Sequence, residues 1–321
     1  MEQIKLSGTF LDEITYDIPS QNWGKDEWDR DFRTMKAIGI DTVIMIRCGL
    51  KQWVTYPSKV LKKQQQAYEP PVDLVAMFLD LSEKYGMEFY LGVYDSATYW
   101  VSGDYEKEMD LNLRVVDEVW SRYGKSPAFK GWYLCHEVSR RRGSITKMYA
   151  ALAKHCKGIS SGLPVLISPC IEGIKAVSQY SSEVEAQTRI SVQDHEKEWN
   201  DIFAGIAGAV DIVAFQDGHV DFHELPEYLH INKTLAKKYG LSCWTNAETF
   251  DRDMPIKFLP IKWEKLLLKL RAAGEAKLEK AITFEFSHFM SPHSCYAQAH
   301  GLFKEYCQHY GIDYSRALGT K

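Results

Sequence analysis

Eight short apolar runs, each followed by an amphipathic stretch, and a consistent contrast between the two kinds of link joining them predict a (β/α)8 TIM barrel for the 321-residue chain. The runs recur about every 40 residues, as expected of successive βαβ units in a parallel sheet. Links from helix to strand are short and often carry a glycine suited to a helix C-cap: KAIGID, KYGMEF, SSGLPV and KKYGLS. Links from strand to helix are long and rich in Trp, Tyr, His, Asp and Glu, for example Cys48 to Pro71 and Ile171 to Asp194. Elaboration at one end of the sheet is the pattern of a barrel whose active site lies at the C-terminal ends of its strands. An open doubly wound sheet would place a glycine-rich turn after the first strand, and GTFLDEITYDIPSQNW contains no GxGxxG.

The expected strands are Ile4 to Leu11, Asp41 to Arg47, Glu88 to Tyr94, Gly131 to Glu137, Pro164 to Ser168, Asp211 to Gln216, Ser242 to Asn246 and Ala281 to Phe286. Helical patterns follow them at Asp26 to Ala37, Val72 to Tyr85, Tyr105 to Tyr123, Ile145 to Lys157, Lys197 to Ala207, Pro226 to Tyr239, Ile261 to Ala273 and Tyr296 to Tyr310. The apolar spacing in DLVAMFLDLSEKY and YAALAKHCKG gives one buried helix face apiece. With no linker and no low-complexity segment, residues 1–321 read as a single domain, with 313–321 as a loose tail.

Charge is mixed and near balance, at −4 overall, and the basic block Arg140 to Arg142 stands alone, which argues against a nucleic-acid partner. No run approaches the roughly 20 apolar residues of a membrane span. The start, MEQIKLSG, lacks the apolar region of a signal peptide. A cytoplasmic location is therefore expected, or a periplasmic or secreted one if a leader has been removed. Seven cysteines without a CxxC argue against a disulfide framework or a structural zinc site. Cys48, Cys135, Cys170 and Cys243 fall in or beside strands, where cysteine is a small core filler.

Candidate chemistry centres on KGWYLCHEV, residues 130–138, an apolar run ending in His136-Glu137. Strand alternation puts Tyr133, Cys135 and Glu137 on one face and Trp132, Leu134 and His136 on the other. In LSCWTNAETF the same alternation puts Asn246 and Glu248 together, so a second carboxylate comes from strand seven to oppose Glu137 from strand four. Two acids across a pocket are what glycoside hydrolysis requires. Around them the strand ends supply Asp12, Glu13, Arg47, Tyr94, Asp95, Ser168, Gln216, Asp217, Glu285 and His288. Trp23, Trp53, Tyr94, Tyr99, Trp100 and Trp244 form a set suited to stacking on sugar rings.

This constellation resembles the clan of retaining TIM-barrel glycosidases with an acid/base Glu after strand four and a nucleophilic Glu at the end of strand seven. The resemblance over most of the chain is to an uncharacterised family of candidate glycoside hydrolases. It implies Glu137 as acid/base and Glu248 as nucleophile, with a carbohydrate substrate and no cofactor or metal. It further implies that Arg47, closing DTVIMIR, steadies the nucleophile. Strand-end placement and the aromatic set, not the resemblance, make Arg47, Tyr94, His136, Gln216, Asp217, Trp244, Asn246, Glu285 and His288 the substrate-binding candidates. The chain departs from the clan in having His136 where Asn is usual and Phe286-Ser287 where a Trp is usual.

Three alternatives stay open at this level. Glu285, in TFEFSHF, points into the barrel if Phe284 and Phe286 face the helices; it is then either the working partner or a structural acid paired with Arg47. A metal-dependent hydrolase would draw on His219, His223 and Asp217. A catalytically silent barrel would bind glycans through the same bowl. A Schiff-base mechanism needs a lysine at a strand end, and none is present there. TFDRDMPIKF and SHFMSPHS lack the glycine-rich turns of a phosphate site.

Overall fold

A computed structural model describes residues 4–15, 18–140, 143–173, 190–252 and 258–318. Eight parallel strands close into a barrel: β1 (Leu6–Leu11), β2 (Thr42–Met45), β3 (Glu88–Gly92), β4 (Phe129–Leu134), β5 (Val165–Ile167), β6 (Ile212–Gln216), β7 (Ser242–Asn246) and β8 (Lys280–Thr283), with β8 pairing back to β1. The helices that cover it are α1 (Lys25–Ala37), α2 (Leu74–Tyr85), α3 (Tyr105–Tyr123), α4 (Ile145–Ile159), α5 (Val192–Ile206), α6 (Leu225–Tyr239), α7 (Trp263–Glu275) and α8 (Ala297–Tyr310). The molecule is a (β/α)8 TIM barrel.

Local chemistry accounts for the helix boundaries. The carboxylates of Asp73 and Asp104 accept from the backbone N–H groups of Ala76 and Lys107, capping α2 and α3. The glycines of the short links all adopt positive φ, between 59° at Gly86 and 98° at Gly39, a region open to a residue without Cβ. Helix α5 begins at Val192 rather than Lys197, because Ser191 accepts from the Asp194 N–H and starts the helix earlier than its apolar spacing suggests. Strand β8 stops at Thr283, three residues short of expectation, and a four-residue helix follows at Phe286–Phe289. The tail is not loose through Leu318. A helix at Tyr314–Leu318 buries Ala317, and residues 319–321 lie outside the described set, as do Arg141, Arg142 and 174–189 of the predicted links.

Alternation along the strands fills the interior. Phe10 of β1 meets Tyr133 of β4 edge-on at 5.1 Å, and lower in the barrel Tyr90 of β3 meets Trp244 of β7 at 6.4 Å. The outward residues pack on helices: Phe129 and Trp132 contact Trp120 of α3. At the strand C-terminal ends, a three-stranded sheet of Gly49–Leu50, Trp53–Val54 and Tyr94–Asp95 ties the loops after β2 and β3 together. Among the described residues no helix is long and apolar enough to cross a membrane.

Candidate active site

A cavity of about 280 Å³ opens at the C-terminal ends of the strands. Glu137 and Glu248 both line it, with Arg47, Gln216 and Asn246. Glu137 lies just beyond β4, whose Tyr133 faces the barrel interior, and two-residue periodicity carries Glu137 to the same side. Among the described residues it has no hydrogen-bond partner. Burial pushes its pKa up; Arg47 and Arg252 oppose that push, while Asp95 and Glu248 reinforce it, and the net shift is upward.

Glu248 is in the opposite electrostatic state. Arg252 holds both of its oxygens, Nε to Oε2 at 2.9 Å and NH2 to Oε1 at 2.8 Å. Burial would raise the Glu248 pKa, but Arg252, with Lys269 and His219, outweighs it and keeps the carboxylate below its ordinary range. The arginine steadying Glu248 is thus Arg252. Arg47, expected in that role, donates instead to Thr15 Oγ1 at 2.9 Å, lies 3.7 Å from Asp95 Oδ2, and has Glu137 as the strongest of the anions acting on it.

Gln216 and Asn246 reach the cavity through a polar ladder. The Gln216 amide donates to the Ser168 carbonyl at 2.8 Å, and Asn246 Nδ2 to Ser168 Oγ at 3.2 Å. The other expected ligands lie elsewhere. The Tyr94 hydroxyl is turned away, donating to the Lys51 carbonyl at 2.8 Å. His136 faces the helices, with Nε2 3.0 Å from the buried Glu108 of α3. Trp244 lies two residues below Asn246, in the barrel floor. Asp217 is paired with Lys269 at 2.7 Å.

Glu285 and His288 form an ion pair of their own, and Glu285 also caps the Phe286–Phe289 helix by accepting from the Ser287 and His288 N–H groups. Glu285 therefore neither enters the cavity nor pairs with Arg47. Of the metal set left open by the sequence, His219 lines the cavity, but His223 is exposed and Asp217 is on Lys269; no metal-ligating group of three occurs among the described residues.

None of the Trp and Tyr residues expected to stack on sugar lines this cavity. Its aromatic walls are Phe10, Phe250, Phe258 and Phe284, with Ile18 and Ile46. Cys170, expected as core filler, also faces it and donates to Gln216 Oε1 at 3.3 Å. Residues 6–296 match the model of a domain of unknown function, DUF4434. The chain belongs to the DUF4434 family.

Among solved structures, this DUF4434 chain is similar to a candidate alpha-L-fucosidase from Bacteroides thetaiotaomicron, with 55% identity, a TM-score of 0.92, and 97% of this chain and 94% of that one covered. More distant likenesses show the fold alone. An endo-1,4-beta-D-mannanase from Thermotoga petrophila shares 10% identity over 88% of each chain at a TM-score of 0.55. A beta-D-glucuronidase from Dictyoglomus thermophilum shares 14% over 95% of this chain and 50% of that one at 0.54. Comparison with curated proteins gives no match.

One glycine leaves the room that this ion pair of the DUF4434 chain occupies. A Cβ on Gly218 would fall 1.9 Å from Glu248 Oε2 and 2.3 Å from Arg252 Nε, inside both partners of the ion pair. Both are side-chain atoms, so the clash is relieved by moving them from their present places. Gly218→Ala is expected to displace Arg252 and move the Glu248 pKa upward, with the circular dichroism spectrum retained. Carbon-13 NMR titration of the Glu248 carboxyl, alongside a thermal melt, checks it.

Proposed function

We propose that the protein is a retaining glycoside hydrolase in which Glu137 is the general acid/base and Glu248 the nucleophile. The observation that carries this reading is that one cavity is lined by two carboxyl groups whose environments drive their pKa values apart, the signature of divided acid and nucleophile roles. Glu137, raised by burial, holds its proton and delivers it to the glycosidic oxygen as the aglycone departs. Glu248, kept ionised by Arg252, attacks the anomeric carbon and forms a glycosyl ester. Glu137, now ionised, takes a proton from a water molecule that cleaves the ester, releasing the sugar with its configuration retained.

The cavity is at the small end of ligand pockets, which span about 300–1,000 Å³, and suits one sugar ring. Its apolar side, with Phe10, Ile46 and Phe284, suits a ring carrying a methyl or other hydrocarbon face. The relative with 55% identity bears a fucosidase name, so an aryl alpha-L-fucoside is the first substrate to test. Release of nitrophenol from it or from another member of an aryl-glycoside panel, with the anomer formed first followed by NMR, tests the proposal. Inertness across the panel together with measurable binding of free sugar would favour a catalytically silent sugar-binding barrel. One observation speaks for that second reading: both Glu248 oxygens are already engaged by Arg252.

A further inference from the structure

We infer that the buried ion pair of Lys269 and Asp217 is a positioning device for Glu248, fixing that residue through its own main chain; this rests on the assignment of Glu248 as nucleophile. The pair joins three elements. Asp217 follows β6, Lys269 lies on α7, and Glu248 lies two residues past β7. Lys269 Nζ donates to Asp217 Oδ1 at 2.7 Å and to the Glu248 carbonyl at 3.1 Å. The Glu248 N–H donates to Asp217 Oδ1 at 3.1 Å. Both peptide groups of one residue are thus held by one pair.

The need for such a device follows from where the strand ladder stops. Ala247 and Thr249 donate to the carbonyls of Ile282 and Phe284, so the odd-numbered residues remain bonded toward β8. The even-numbered ones face β6, whose pairing with β7 ends at Asn246 and Gln216. From Gly218 the chain turns away, leaving the N–H and C=O of Glu248 facing β6 without a strand partner, and a buried backbone group without a partner is costly. Asp217 and Lys269 supply the missing acceptor and donor. An apolar pair of similar volume would pack against α7 as well or better, but it would leave Glu248 unheld. Both side chains are almost wholly buried, Asp217 at 1% and Lys269 at 5% exposure, so neither is free to serve solvent or substrate. Lys269 also contributes to the ionised state of Glu248, while Asp217 opposes it.

The test uses two variants of the full chain. Lys269→Met removes the ammonium group and the donor to the Glu248 carbonyl. Asp217→Asn/Lys269→Met also removes the stranded anion and keeps an amide oxygen for the Glu248 N–H, so it folds if the single variant does not. On the best aryl glycoside of the panel, kcat is expected to fall tenfold or more in each folded variant, with KM within threefold of wild type; the acid limb of the pH profile moves upward in Lys269→Met, which loses the cation alone, and by less in the double variant, where the opposing anion goes too. Carbon-13 NMR titration of the Glu248 side-chain carboxyl is expected to show the same upward movement in Lys269→Met without any substrate. A double variant that folds with wild-type kcat and KM would overturn the inference and reduce the pair to a structural tie. Failure of the catalytic assignment reads differently: the wild type itself would turn over no glycoside, and the Glu248 titration would still report whether the pair acts on it.

Discussion

Glu248→Ala is expected to lose roughly 10⁴-fold or more in kcat, about 5 kcal/mol of transition-state stabilisation, and to regain part of it in azide. The expectation follows from the division of labour proposed for the two carboxyl groups of the cavity. With the carboxylate gone, Glu137 can still protonate the leaving group, but nothing attacks from the opposite face. Azide is small enough to enter the space vacated beside Arg252, which would otherwise hold an anion there. Attack from that side gives a glycosyl azide of inverted configuration, measurable by NMR. Arg252 is partly exposed in the parent, so its loss of a partner is tolerable and the variant should fold. Absence of rescue, in a folded variant, would count against Glu248 as nucleophile.

Glu137→Gln should lose about 10² to 10⁴-fold on substrates with poor leaving groups, the usual contribution of general acid catalysis, and far less on aryl glycosides whose phenolate leaves unaided. The pH dependence has a definite sign. A group whose pKa is raised serves as an acid up to that raised value, so kcat/KM in the parent falls on the alkaline side as Glu137 ionises. A group whose pKa is lowered must stay ionised, so activity falls on the acid side as Glu248 takes up a proton, at a pH below the ordinary carboxylate range. In Glu137→Gln the alkaline limb should disappear while the acid limb stays. Equal losses on both classes of substrate, or an alkaline limb that persists, would refute the acid/base role.

Much of this organisation was legible in the sequence because it depends on period. Eight apolar runs at regular spacing gave the barrel, and two-residue alternation aimed Glu137 inward while assigning His136 to the outer face, where its ring meets Glu108. The error over His136 came from setting motif analogy above that alternation. Trp244 was assigned the right face but the wrong depth, since two residues of strand move a side chain roughly 6.5–7 Å along the barrel. Glu285 was misplaced because alternation was carried past Thr283, where the strand had already ended.

Arg252 was missed altogether. It lies four residues after Glu248, a spacing that brings side chains together on a helix, but this segment follows a strand and carries no helical pattern, so only the folded loop brings it onto the carboxylate. The phenylalanines of the cavity wall were invisible for a different reason. Inward-facing Phe on a strand reads as core, and Phe10 serves both purposes, packing on Tyr133 below and facing the cavity above.

The stacked rings inside the barrel also govern traffic. Phe10 against Tyr133, and Tyr90 against Trp244 beneath them, plug the channel below the two glutamates. Among the described residues the chamber is thus a cul-de-sac at its base, and whatever comes in by the mouth cannot leave through the barrel. Were the proposed cleavage to release a monosaccharide there, that free sugar is expected to compete with the next substrate molecule for the same mouth.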